Sequence, residues 1–566
     1  MRYHHITDME TNVPVLSSNW ANRKTAYDFI IIGSGYGGSI MAARLAAAPL
    51  SRKPSVCLLE RGREWRIGSF PDQFDGFLGN VRATNPLGLY DIIGGKDISV
   101  LKGNGLGGTS LINANVAIIP EDGVFQQTGW PASLNRQTLT PYYLRASAVL
   151  RPNPFPSDKP LTKRLALETR ARQLGMQTEL LNIVVTFEDT PDNGSGISQP
   201  ACTRCGDCVT GCNIGSKNTL YMNYLPLAHR NGAEIFTQTE VTWVEPKSGG
   251  GWMVHGLFRA DSDHSEAFTL EAENVVLSAG SINSTEILLR SAEHGLPISS
   301  RVGTGFSGNG DFFGITYNGP AFLQVLGFGD HPDSAGAAFP PGPTITVALR
   351  YDRDPQVTNH YLVEDVSFPT ALFQAAQAAF PWLLGEEFGG DLGTKFERAT
   401  RDLSQSQPYS EDGALNHSLI YLVTGFDNAK GQIKLQTSVL APDGQPVIAW
   451  RGAGAQPIFE TINTELRENA RALSSRFIEN PPWAALGLRG LLTAHPLGGC
   501  PIGEDPNSGA TNEFGQVFAK DGSLLAGLRV VDGALLPSAL GVNPLLTISA
   551  LAERIAEHQV QELART

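Results

Sequence analysis

Long apolar runs are missing from this sequence: none of its 566 residues belongs to the ~20 consecutive apolar side chains that a bilayer-spanning helix needs. Positive charge is also in short supply. Forty-three Lys and Arg stand against 56 Asp and Glu, a net charge of −13, which argues against nucleic acid or an anionic membrane as a partner. Cysteine is scarce, six in all, and four of the six crowd into eleven residues (Cys202, Cys205, Cys208, Cys212). Such crowding speaks against a disulfide framework and for metal ligation in a reducing compartment. Polar residues follow Met1-Arg2-Tyr3-His4-His5, with no apolar segment and no twin arginine, so no secretory signal is expected. The expected location is cytoplasmic, with peripheral membrane contact as an alternative. No repeat of fixed period and no low-complexity tract occurs. What is plentiful is glycine, 61 residues in an ordinary globular composition, which suits tight turns and close backbone approach to a ligand.

The chain is organised around Tyr27-Asp28-Phe29-Ile30-Ile31-Ile32-Gly33-Ser34-Gly35-Tyr36-Gly37-Gly38. A β-rich apolar run enters a Gly-x-Gly-x-x-Gly turn, and the Ala-rich Ser39 to Leu50 reads as a helix. Gly33 permits the turn, Gly35 lets the backbone approach a pyrophosphate, and Gly38 lets helix and strand pack closely. The helix N-terminus offers free N–H groups and positive dipole to phosphates. A second apolar strand, Val56-Cys57-Leu58-Leu59, ends in Glu60, 22 residues past Gly38, where a carboxylate should take the ribose hydroxyls of an adenine dinucleotide.

Residues 1 to about 24 read as a polar lead-in strapped across the surface. After an irregular stretch, Leu101-Lys102-Gly103-Asn104-Gly105-Leu106-Gly107-Gly108-Thr109-Ser110-Leu111-Ile112-Asn113 suits a loop pressed against a flat ring. Helices are expected over Gln137–Arg151 and Thr219–Arg230, strands over Glu234–Val244. Asn274 to Ser281 repeats the strand-to-turn pattern and should rejoin the nucleotide-binding sheet. The fold class is α/β, a Rossmann-like domain with a second, antiparallel-sheet domain. The expected boundaries are 25–310 for the first domain, including a cysteine loop at 201–213, then 311–490 for the second, and 491–566 returning to the first. The C-terminal stretch is motif-dense: His495-Pro496-Leu497-Gly498-Gly499, Asp532-Gly533, Gly541-Val542-Asn543-Pro544, then an amphipathic helix Ser549–Glu562.

These stations, in this order from Tyr27 to Leu563, resemble the glucose-methanol-choline (GMC) oxidoreductases, and among them the bacterial cholesterol-oxidase branch. The resemblance implies a two-domain flavoprotein fold of the p-hydroxybenzoate-hydroxylase type, binding FAD and moving a hydride from an alcohol carbon to the flavin. It implies that His495 takes the hydroxyl proton, with a purely structural His on a turn as the alternative. Asn543 falls at the second active-site position, or is a turn-forming Asn before Pro544. Glu364, in Val363-Glu364-Asp365-Val366-Ser367-Phe368-Pro369, resembles the Glu-x4-Pro segment whose carboxylate moves a proton in steroid isomerisation. Cofactor contacts are implied at Gly33, Gly35, Gly38, Glu60, Gly105, Gly107, Gly108, Asn113, Val241, Asp532, Gly533, Asn543 and Pro544. Relatives with covalent flavin carry His where Asn113 stands, so the FAD is expected to be noncovalent.

Cys202-x2-Cys205-x2-Cys208-x3-Cys212 has the spacing of a bacterial ferredoxin loop, with Asn213 in place of the usual Pro. Four thiolates on so short a loop can wrap an iron-sulfur cluster, 4Fe-4S first and 3Fe-4S second. Zinc is the next reading and a bare loop the last. The motif resembles the iron-sulfur sugar dehydrogenases of the same family. The function expected is therefore a dehydrogenase that oxidises a lipophilic alcohol, with a steroid as one candidate, and passes electrons to an acceptor protein or quinone. An O2-using oxidase with a structural cluster, a lyase and a noncatalytic electron relay are the competing readings. The segment Phe368, Phe373, Phe380, Trp382, Leu383, Leu384 suits an apolar substrate, plain core packing or a membrane-touching flap.

Overall fold

A computed structural model of the chain describes residues 11–159, 161–329, 340–383, 385–403, 409–410, 412–438, 441–484 and 489–565. The start of the lead-in, residues 1–10, and Leu384 of the covering segment lie outside the described residues.

The opening run Ala26–Ile32 (β1) turns at Gly33 into the helix Tyr36–Ala46 (α1) and returns as Val56–Leu59 (β2). Glu234–Phe236 (β3), Ser265–Leu277 (β4), the helix Ser281–Glu293 (α2), Leu524–Val530 (β5) and the closing helix Leu545–Leu563 (α3) follow. The strands assemble side by side in the order β5-β4-β1-β2-β3, all parallel. Phe29, Ile30, Ile31 and Ile32 are all buried, as expected of a parallel strand covered on both faces. A hairpin, Thr239–Pro246 with Trp252–Arg259, adds antiparallel strands to β4, and Gln516–Phe518 pairs antiparallel at the β5 edge.

Local chemistry moves several boundaries. The first helix was expected over Ser39–Leu50; it begins at Tyr36, because Gly35 is its N-cap and Gly37 and Gly38 form its first turn. It ends at Ala46, with Ala47 as its C-cap, just ahead of Pro49, whose ring disfavours helical backbone at Ala48. The helix expected over Thr219–Arg230 is broken at Asn223 (φ −142°, ψ −86°) into a 3-10 turn Leu220–Met222 and an α-helix Tyr224–Arg230. The Asn223 side chain accepts the Tyr224 N–H and so caps the second piece. The lead-in is a strap, as expected, but an apolar one: Val13, Leu16 and Trp20 are buried, and the Trp20 ring stacks on Phe258 at 5.2 Å.

Among the described residues the second sheet has seven strands, all antiparallel, in the order Glu386–Glu387, Arg476–Glu479, Phe312–Tyr317, Leu419–Thr424, Tyr361–Val366, Val347–Tyr351 and Glu179–Leu180. Its last strand comes from the segment before residue 310. The helix Pro457–Ala472 packs on this sheet through buried Phe459, Ile462 and Leu466. The aromatic-rich stretch after Phe368 forms a helix, Thr370–Ala379, followed by the exposed Trp382. A small sheet of Leu491–Thr493, Ile98–Gly103 and Tyr90–Ile93 stands beside the two larger ones. Among the described residues no helix is long and apolar enough to cross a membrane.

Candidate active site

In an open parallel sheet, ligands bind beyond the carboxyl ends of the strands, where the strand order reverses. Here β1, β2, β4 and β5 deliver Gly33, Glu60, Ser278 and Asp532 to that edge, and all four line one cavity of about 850 Å³. The turn is built for close approach. Gly33 sits at φ +95°, and a Cβ there would meet the Ser278 carbonyl oxygen at 2.4 Å. A Cβ on Gly38 would lie 1.9 Å from the Gly33 carbonyl oxygen, the tight helix–strand packing its position predicts. A Cβ on Gly35 would meet nothing nearer than the Ser278 carbonyl oxygen at 4.0 Å, and Gly35 lines the cavity, where its backbone can approach a ligand.

Glu60 is buried; its carboxylate accepts the Ser34 N–H at 3.1 Å and the Gly62 N–H at 2.8 Å. The Ser34 hydroxyl donates to it as well, and since a carboxylate offers about four acceptor positions, room for one further hydroxyl donor remains. Val241, Gly108, Asn113, Gly533 and Pro544 line the same cavity. Asn113 Nδ2 donates to the Tyr36 hydroxyl at 2.8 Å. Asp532 accepts from the Gly280 N–H, the Ala534 N–H and the Ser284 hydroxyl, and burial pushes its carboxyl up to about 6. The N-terminus of α3, with its positive dipole end, opens on the cavity through Asn543, Pro544 and Leu545. Gly105, Gly107 and Gly38 are not among the lining residues. Gly105 instead packs beneath the Trp65 ring, and the Gly107 N–H donates to the Ser34 hydroxyl at 2.9 Å. The cradle fits an extended dinucleotide with a flat ring at its far end.

That far end carries the polar groups of the second half of the chain. His495 follows the short strand Leu491–Thr493, and Asp311 opens the strand Phe312–Tyr317. His495 Nδ1 lies 2.8 Å from Asp311 Oδ1; Asp311 Oδ2 accepts from the Thr493 hydroxyl and the Ala494 N–H, each at 2.9 Å. A carboxylate partner fixes the proton on Nδ1 and leaves Nε2 as an acceptor. Burial alone would push His495 down, but the Asp311 carboxylate outweighs it and holds the imidazole above its ordinary value. Asn543 Nδ2 donates to Glu364 Oε2 at 3.3 Å, while Asn543 Oδ1 and Glu364 Oε1 are both buried without a partner. Unpartnered buried oxygens are costly, and two in one place point to a ligand that would satisfy them. Glu364 is fully buried on Tyr361–Val366, and burial drives its carboxyl up to about 8, against the pull of His495 and Asn543. It shares a sheet face with Val366, Ile420, Leu422 and Phe313, which line the apolar end of the cavity. Glu364 itself lies behind Asn543 rather than among the lining residues.

Sequence reasoning brought His495, Asn543 and Glu364 to one place but missed Asp311. The available signal was its position, a carboxylate ending Gly308-Asn309-Gly310 ahead of an apolar strand.

The cysteine loop lies apart from this end. Cys202, Cys205, Cys208 and Cys212 line a second, small cavity of about 10 Å³, room for roughly one water. Among the described residues no three His, Cys, Asp or Glu side chains gather closely enough to hold a metal ion. The expectation of a metal centre, iron-sulfur or zinc, is therefore not borne out by the geometry, because the thiols surround a common space without closing on a point. Burial and the neighbouring cysteines hold the thiols of Cys202, Cys205 and Cys212 above their ordinary value, so this loop favours thiol over thiolate. The Arg204 N–H donates to Cys202 Sγ at 3.3 Å, and the N–H groups of Lys217, Gly215 and Ile214 pull Cys212 down against the upward push of burial and Cys208. Cys57 and Cys500 are buried elsewhere, and burial pushes both thiols up.

Two family models, both described as GMC oxidoreductase, match residues 27–306 and 427–552. A cholesterol oxidase of Acinetobacter baumannii is 27% identical over 95% of this chain and 96% of its own length. A cholesterol oxidase of Mycobacterium tuberculosis is 29% identical over 94% and 91%. A long-chain-alcohol oxidase of Arabidopsis thaliana is 24% identical over 95% of this chain and 67% of its own. Among solved structures, an Aspergillus oryzae formate oxidase superposes with TM-score 0.59 at 14% identity, covering 96% of this chain and 99% of that one. A pyridoxine 4-oxidase superposes with TM-score 0.57 at 15% identity, covering 94% and 98%.

Proposed function

The chain belongs to the GMC oxidoreductase family and is an FAD-dependent oxidoreductase of the alcohol- and cholesterol-oxidase kind, and from that premise we propose that it oxidises the CH–OH group of a lipophilic, steroid-class alcohol to a carbonyl. Bound FAD supplies the hydride acceptor. Glu60, Gly33, Gly35 and Val241 would hold its nucleotide half, and Asn113, Asp532, Gly533 and Pro544 the far half.

The observation that carries the reading is the His495–Asp311 pair at the apolar end of the cavity. His495 Nε2 accepts the hydroxyl proton, and the buried Asp311 carboxylate stabilises the imidazolium that results. Asn543 orients the substrate oxygen with the amide group that has one unpartnered atom. The lining formed by Phe313, Val366, Ile420 and Leu422 supports an apolar substrate. A buried carboxyl near neutrality such as Glu364 suits the carrying of a proton between carbons of a steroid ring.

Electrons then leave by one of two routes. One-electron relay to a quinone or protein acceptor has only the spacing of Cys202, Cys205, Cys208 and Cys212 in its support, since the thiols as placed do not close on a metal. The second reading is direct reoxidation by O2, which the names of the oxidase relatives favour. The test is anaerobic titration of purified protein with a 3-hydroxysteroid, a long-chain primary alcohol and short alcohols. Bleaching of the flavin band at about 450 nm by the steroid supports the proposal. If no alcohol bleaches it, alcohol oxidation is wrong and a lyase or electron-relay role takes its place. Rapid recovery of the band in air assigns the oxidase route.

A further inference from the structure

Two turns far apart in sequence carry the polar groups of the site. Gly308-Asn309-Gly310 runs into Asp311, the partner of His495, and Leu540-Gly541-Val542 runs into Asn543. Asn309 joins the two. Its side chain is fully buried; its Nδ2 donates to the Val542 carbonyl oxygen at 2.9 Å, and its Oδ1 accepts the Leu540 N–H at 2.8 Å. The Val542 carbonyl belongs to the peptide unit that begins Asn543, and Asn309 stands two residues before Asp311. One carboxamide therefore spans a gap of 231 residues in sequence.

The turn that holds this carboxamide is itself tightly held. Asn309 has φ +57°, a left-handed conformation that Asn accepts more readily than most side chains. Its N–H donates to the Ser307 hydroxyl at 2.9 Å, and its carbonyl oxygen accepts the Gly425 N–H at 3.1 Å. Asp427 accepts the N–H groups of Gly308 at 2.8 Å and Gly310 at 3.0 Å. The second turn is fastened to the same stretch, since the Thr424 hydroxyl donates to the Gly541 carbonyl oxygen at 3.1 Å. Ser307, Gly425 and Asp427 already fix the shape of the first turn. The two side-chain bonds of Asn309 go only to the other turn, so their effect is on the distance between the turns.

That distance matters for the chemistry. An alcohol hydroxyl has to meet His495 Nε2 and the Asn543 amide at once, and a misplacement of about 1 Å in such an arrangement costs ~10²-fold in rate. Resting on the roles proposed above for His495 and Asn543, we propose that Asn309 is a positioning residue for alcohol oxidation: it fixes Asn543 relative to the Asp311–His495 pair. Asn309 is not among the residues lining the cavity, and it takes no proton. It acts through Asn543.

The experiment is a double-mutant cycle on the FAD-loaded protein: wild type, Asn309→Gly, Asn543→Ala and the double variant. Glycine accepts the left-handed backbone and removes only the bridging side chain. The readout is the limiting rate of flavin reduction by a 3-hydroxysteroid in anaerobic stopped flow, with flavin content measured alongside. The expected result is a loss of about tenfold or more in Asn309→Gly with flavin content unchanged. The same change made in Asn543→Ala should cost nothing further, as for two residues that act as one unit. Losses that multiply, or flavin that falls away, would show a general support of the fold and overturn the proposal. A loss smaller than tenfold in Asn309→Gly overturns it too, and leaves the roles of His495 and Asn543 standing. If Asn543→Ala reduces flavin like wild type, the role of Asn543 falls and this inference with it. If no alcohol reduces the wild-type flavin, the oxidation reading fails first and takes the inference down. Should Asn309→Gly not fold, Asn309→Asp decides, because it keeps the acceptor for Leu540 and loses the donor to Val542. Its loss must again vanish beside Asn543→Ala; a loss that persists there, or no loss at all, overturns the proposal.

Discussion

At the scale of single residues, the site is governed by where protons sit. His495 works as a base only when unprotonated, so kcat/KM rises with pH through its pKa, which Asp311 holds above the ordinary value. Asp311→Asn removes that anion and leaves desolvation, which lowers the pKa. The acidic limb of the pH–rate profile should therefore move to lower pH while the plateau falls. His495→Gln should cost about 10²- to 10⁴-fold in kcat with FAD still bound, the usual worth of one general base. A loss below tenfold would make His495 a bystander. Glu364 gives a stability test whose sign runs the other way. Its folded pKa, about 8, is above that of the unfolded chain, so its contribution is full below about 4.5 and is lost as pH rises toward 8. Glu364→Gln should melt close to wild type near pH 4.5 and increasingly above it at pH 8. Thermal scans at the two pH values check this; equal gaps would mean that the carboxyl is not held protonated.

At the scale of elements, the fingerprint turn and the second sheet each make one face of the site. A Cβ on Gly38 would collide with the Gly33 carbonyl oxygen, so Gly38→Ala should force α1 away from β1 and empty the protein of flavin. The ratio of absorbance at about 450 nm to that at 280 nm measures it, and retention of FAD would show that the turn tolerates the strain. On the second sheet, Leu422→Trp should raise KM for a steroid tenfold or more and spare short alcohols, because it fills the apolar end without touching His495. These elements differ in how legible they are. The β1 turn could be read because its glycines, its apolar strand and Glu60 are local in sequence and each has a steric or charge reason. The Asp311–His495 pair spans 184 residues and rests on two unrelated turns, so no local pattern announces it. Glu364 is legible only by resemblance; its burial comes from pairing with Ala348 and Leu422 on two other strands. Cysteine spacing pointed to an iron-sulfur cluster that the geometry does not bear out, since how tightly four thiols close depends on the loop's backbone and not on their spacing alone.

At the scale of the whole molecule, the cavity is the joint between the parallel and antiparallel sheets. Its walls come from β1, β2, β4 and β5 on one side and from Phe313, Val366 and Leu422 on the other. The space between them is about 850 Å³. A cavity of that size strips its lining of packing partners, so the apo protein forgoes stabilisation that a flat, largely buried cofactor restores. A ligand that binds only the folded chain adds RT ln(1 + [L]/Kd), about 2.7 kcal/mol at a hundredfold excess over Kd. FAD-stripped protein should accordingly melt lower, and its Tm should climb with added FAD and level off only logarithmically. AMP, which reaches only the Glu60 and Val241 end, should raise Tm by less, because it leaves the far half of the joint unfilled. The comparison decides how the cofactor acts on the fold. Equal shifts from AMP and FAD would mean that the nucleotide half alone stabilises the protein and that the second sheet is indifferent to the flavin. A larger shift from FAD that Leu422→Trp retains, while the further shift from added steroid is lost, would assign the flavin to the joint and the substrate to the apolar end beyond it.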